Sequence, residues 1–63
     1  MNKELVLSMM VHSFKKANIE IAVNNGVEKD AAELQIESMN NIIEECMKQV
    51  LEDLLENFPT FIQ

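Results

Sequence analysis

The chain carries one glycine, Gly26, and one proline, Pro59, in 63 residues, and its apolar residues recur at three- and four-residue steps on both sides of the glycine. Glycine and proline are the strongest local breakers of regular structure, so a chain with one of each is confined to a few long elements joined by short turns. Before Asn24-Asn25-Gly26, stepping ~100° per residue places Val6, Leu7, Met10, Val11, Phe14, Ala17, Ile21 and Ala22 on one continuous helical face. A second, narrower stripe of Leu5, Met9, His12, Lys16, Ile19 and Val23 runs along another side of the same helix. A helix that is apolar on two sides needs two neighbours. Ile19 to Val23 also alternates as a strand would before an Asn-Gly hairpin, but Val27 alone could represent a return strand, so helix is the preferred reading.

Gly26 suits the left-handed residue that closes a helix, which sets helix 1 at about 2–24 and a turn at 25–29. Asp30 followed by Glu33 matches a capping box, so helix 2 is expected over about 30–57, with a start as early as Val27 or Glu28 as the variant. Its apolar set is Ala32, Ile36, Met39, Ile43, Cys46 and Val50, with Ile42, Met47, Leu51, Leu54, Leu55 and Phe58 beside them. Pro59 stops the helix near Asn57 and leaves an apolar tail, 58–63. The expectation is an all-α, two-helix antiparallel hairpin forming a single domain over 1–63.

Size argues that such a hairpin does not stand alone. A 7.2 kDa chain exposes roughly 10,400 Å² unfolded and about 4,100 Å² as a compact monomer. If about 60% of the buried area is apolar, burial contributes on the order of 95 kcal/mol at ~25 cal/mol/Å². Ordering the residues costs about the same at ~1.5 kcal/mol each. Dimerisation into a four-helix bundle supplies the missing burial. The residues expected to form the core and dimer contacts are Leu5, Met9, Ile19, Val23, Ile36, Met39, Ile43, Cys46, Val50 and Leu54.

The charge is distributed unevenly. Residues 1–27 hold 3 Lys and 2 acids, net +1, and residues 28–63 hold 2 Lys and 9 acids, net −7, which sum to the −6 of the chain. Glu28, Asp30 and Glu33 lie where a helix dipole favours anions, and Glu44 can pair with Lys48 one turn on. Glu52, Asp53 and Glu56 crowd the last two turns, where the dipole favours cations. Lys3 and the amino terminus could neutralise them across an antiparallel hairpin. The other reading is an acidic ridge of Glu45, Glu52, Asp53 and Glu56 that meets a basic surface on another protein. Phe58, Phe61 and Ile62 either cap the open end of the bundle or dock into a partner groove.

Catalytic signatures are missing from the sequence: no nucleophile turn, HExxH, phosphate loop or CxxC occurs. His12 reads as a half-buried interface histidine, or as a contact that weakens an apolar seam when it charges on mild acidification. Cys46 reads as a small core residue, and no metal or other cofactor is expected. Clustered basic residues amount to Lys15-Lys16, which argues against direct nucleic-acid binding, and no apolar run reaches the ~20 residues of a membrane span. No signal-peptide pattern or paired cysteines occur, so a cytoplasmic location is expected. Abundant Lys, Asn and Ile without Arg is what AT-rich coding gives, as in a low-GC bacterium or its phage. The function expected is that of a small non-enzymatic regulator or inhibitor that occludes a partner protein with a basic or apolar groove. The alternatives are an acidic decoy for a nucleic-acid-binding protein and a structural assembly subunit.

Overall fold

The computed structural model describes residues 2–62, which form three helices: α1, Lys3–Asn24; α2, Lys29–Ser38; and α3, Asn40–Asn57. The fold is all-α, with no strand among the described residues. The two-helix expectation is corrected in one respect, because the second arm breaks at Met39.

Each boundary of α1 has an identifiable local cause. Asn2 is extended, and its Oδ1 accepts a hydrogen bond from the Leu5 amide at 2.7 Å, capping the first turn. At the other end Gly26 takes φ 97°. The Val27 amide donates to the Ala22 carbonyl and the Gly26 amide to the Val23 carbonyl, each at 3.0 Å. These two bonds are the Schellman closure, which needs a residue in the left-handed region at the position of Gly26. The expected turn and its glycine are therefore in place.

The α2 start differs from the expected capping box. Glu28 occupies the N-cap with no side-chain cap bond, and Asp30 lies inside the first turn. With the helix beginning one residue earlier, the carboxylate of Asp30 faces the positive end of the helix dipole as a first-turn acid.

At Met39 the backbone leaves the helical region, with φ −101° and ψ 8°. Its amide donates to the Ile36 carbonyl, a tight i−3 bond, and the ladder resumes with Ile43 donating to the Met39 carbonyl. The neighbours favour a break. Ser38 Oγ donates to the Gln35 carbonyl at 2.6 Å, and Asn40 and Asn41 follow. Side chains of these types compete for backbone hydrogen bonds and lower helix propensity.

Both α2 and α3 pack on α1, and the molecule measures 40 × 20 × 17 Å. The chain runs back along α1: Lys29 lies beside Ile19 and Val23, Glu37 beside Lys15, and Glu44 and Lys48 beside Ser8 and Val11. A helix with its side chains is about 10–12 Å across, so a body 17 Å thick keeps nearly every residue within one helix of solvent. The buried core is accordingly small, consisting of Val6, Ala32, Ile36, Ile43 and Leu51, the last with 0% exposure. Pro59 ends α3 at Asn57 as expected, and beyond it Thr60, Phe61 and Ile62 turn back against Val6, Met9 and Met10 of α1.

Candidate interaction surface

The two edges along which α1 meets α2 and α3 differ in chemistry. One edge is charged. Lys15 bridges to Glu37 at 3.2 Å, joining α1 to α2, and the Lys15 side chain is 19% exposed. Around this pair lie His12, Lys16, Lys29 and Glu33, and further along Glu4, Glu44 and Lys48. These residues line shallow clefts of about 520 and 420 Å³.

The other edge is apolar. A narrow cleft of about 210 Å³ joins Phe14, Asn18 and Ala22 of α1 to Ala32, Gln35, Ile36 and Met39. Near the α1 amino end a cleft of about 720 Å³ is lined by Val6, Met9, Met10, Ser13, Thr60, Phe61 and Ile62. Ile62 is half-buried there, while Phe58 and Phe61 remain exposed. One tail residue thus covers α1, and two aromatic rings stay open to solvent.

The acidic ridge occupies a third side. On α3 the residues Glu45, Glu52 and Glu56 fall within about 40° of one another at ~100° per residue. The buried Ile43 and Leu51 lie on the opposite side of the helix, so the ridge points away from the core. Asp53 sits about 80° round from Glu45, on one flank of the ridge. All four acids are exposed.

The charge pairing differs from the expectation. Lys48 pairs with Glu45 at 3.5 Å, and Glu44 instead accepts from Asn40 Nδ2 at 3.1 Å. Asp53 accepts from Gln49 Nε2 at 3.1 Å. Among the described residues the ion pairs are Lys15–Glu37 and Lys48–Glu45, so Lys3 does not neutralise Glu52, Asp53 or Glu56. The amino-terminal residue that was to assist it lies outside the described residues.

The residues expected in the core and dimer contacts divide. Ile36 and Ile43 are buried, and Ile19 and Leu54 are half-buried. Leu5, Met9, Val23, Met39, Cys46 and Val50 are exposed in the single chain. Cys46 is therefore not a core residue of one chain, because the buried side of α3, between Ile43 and Leu51, is centred about 100° round from it. His12 is exposed on the charged edge rather than half-buried in an apolar seam. Asn2 is the functional cap that sequence reasoning overlooked, and its signal was an Asn immediately before a helix-favouring Lys-Glu-Leu run.

No polar or charged side chain is buried among the described residues, and none of their His, Cys, Asp and Glu groups form a cluster that could hold a metal. No helix of the structure is long and apolar enough to cross a membrane. The surface presents a charged edge, an apolar edge and an acidic ridge. No protein-family model, curated protein or solved structure matches the chain.

Proposed function

We propose that this chain is a non-enzymatic binding protein that self-associates and covers a functional surface of another protein. The observation that carries the reading is the ridge of Glu45, Glu52 and Glu56. It lies opposite the core, with Glu52 and Glu56 in no ion pair among the described residues, and the chain beyond α3 carries the exposed rings of Phe58 and Phe61. Glu52 and Glu56 are like charges at a helix C-terminus and work against the helix itself, while Glu45, nearer the start of α3, pairs with Lys48. Facing a basic surface, the same charges accelerate encounter and fix orientation, while aromatic side chains anchor the contact. The partner is a protein with a basic surface bordered by an apolar groove.

The test starts with the protein that co-purifies with this chain from its native cell. Substituting Glu52→Gln and Glu56→Gln together should weaken that association strongly while leaving the thermal midpoint unchanged or raised, because the like-charge pair is removed and the Glu45–Lys48 pair is kept. Undiminished association would contradict the reading. Steep weakening with salt, together with competition by nucleic acid, would identify the acidic-decoy form of the same activity. Growth of the free protein beyond a dimer as concentration rises would instead support an assembly subunit.

A further inference from the structure

The turn after α1 places an asparagine directly before the one glycine of the chain. Asn2, Asn18, Asn24, Asn40, Asn41 and Asn57 all precede larger residues, and Asn25 alone precedes glycine. With no side chain on Gly26, its peptide nitrogen can approach the side-chain carbonyl carbon of Asn25 without a clash, which is the first step of amide loss from asparagine. Asn25 is exposed, and a Cβ added to Gly26 would meet nothing within 4 Å, so water and a small ring both have room at this corner. The closed turn nevertheless holds the two groups apart. Asn25 Nδ2 donates to the Ile21 carbonyl at 2.8 Å, and the Gly26 amide donates to the Val23 carbonyl at 3.0 Å. At the Asn25 ψ of 11° the Gly26 nitrogen nearly eclipses the Asn25 nitrogen, and so lies away from the Asn25 side chain.

We propose that Asn25 is a modification site held in check by the closed turn, and that its conversion to aspartate or isoaspartate loosens the junction of α1 and α2. When the turn opens, the Gly26 nitrogen, having given its proton to hydroxide, attacks Asn25 Cγ. The N–Cγ bond forms, the Cγ–Nδ2 bond breaks, and the side-chain amide takes up a proton from water and leaves as ammonia. Water then adds to either carbonyl of the succinimide ring. Reopening leaves a carboxylate at residue 25, on a backbone that is either normal or lengthened by the side-chain methylene. The net change consumes one water and releases one ammonia, with no oxidation or reduction. Both products replace the Nδ2 donor with an acceptor beside the Ile21 carbonyl. Both also put an anion at the negative end of the α1 dipole, where the last turn holds no basic residue. The lengthened product in addition displaces the Gly26 and Val27 amides from the Val23 and Ala22 carbonyls that they close on. The reaction runs one way, from a capped α1 to a loosened one.

The 63-residue chain, aged in mildly alkaline buffer and mapped by tandem mass spectrometry, tests the site. Amide loss should appear first at residue 25, and should run faster in denaturant by roughly tenfold or more, because the turn must open before the nitrogen reaches Cγ. An isoaspartate-specific methyl-transfer assay should label the aged wild type and leave aged Asn25→Gln unlabelled, since the longer side chain closes a ring far less readily. Amide loss that appears first at another asparagine would overturn the site. Equal rates in the folded and denatured chain would overturn the hold exerted by the turn. Thermal unfolding checks the consequence: the aged, converted chain and Asn25→Asp should both melt a few degrees below fresh wild type. A converted chain that melts at or above fresh wild type would overturn the loosening.

Discussion

Single residues fix the ends of the helices and hold the core, and their substitutions have separable costs. Gly26 at φ 97° has no heavy atom within 4 Å of an added Cβ, so Gly26→Ala costs backbone strain alone. Chemical denaturation should show a loss of about 1–2 kcal/mol. Asn2→Ala removes the acceptor of the Leu5 amide and should cost about 1 kcal/mol, read as a lower thermal midpoint. Leu51 has 0% exposure, and Leu51→Ala should cost about 2–5 kcal/mol, enough to unfold much of the population by circular dichroism. Gly26 was legible because a lone glycine after two asparagines has one economical use at a helix end. Cys46 and Val50 were misplaced because spacing identifies an apolar face without revealing which flank a neighbour covers.

At the scale of elements, the departures from expectation have a common origin in weak local preferences. The apolar spacing Ile36, Met39, Ile43 runs through the break without interruption, so periodicity reads α2 and α3 as one helix. Only Ser38, Asn40 and Asn41 mark the break, and such residues each shift helix propensity by a few tenths of a kcal/mol. Packing of both pieces on α1 then decides. The capping box failed for a similar reason, because Lys29 and Asp30 are both tolerable first-turn residues. The end of α3 offers a prediction of opposite signs. Glu56→Lys relieves the like-charge pair with Glu52 and places a cation at the helix C-terminus, which should raise stability by about 0.3–1 kcal/mol. The same substitution should weaken partner association, a combination that a merely structural acid would not give. Deleting 59–63 removes Ile62 from its place beside Val6 and Met10. A loss of about 1 kcal/mol there corresponds to a thermal midpoint lower by about 4–8 °C in a domain of this size.

For the whole molecule, composition had indicated a chain near break-even as a monomer and acidic in its second half. The structure gives these two properties separate places. The shortage of burial shows as exposed apolar side chains such as Phe14, Ile21 and Val50, and the acidity becomes a ridge on the outer side of α3. The all-helical fold was legible from periodicity and two breakers. The division of the surface into three faces was not, since it depends on how α2 and α3 roll against α1. In the account proposed here, self-association completes the fold and the ridge remains free to bind, so the two can be disabled independently.

Sedimentation equilibrium of the free 63-residue chain across a range of concentrations tests the proposed self-association most directly. A mass of twice 7.2 kDa at micromolar concentrations and above, falling toward 7.2 kDa on dilution, is the predicted result. A mass of 7.2 kDa at every concentration, with cooperative thermal unfolding independent of concentration, would contradict it.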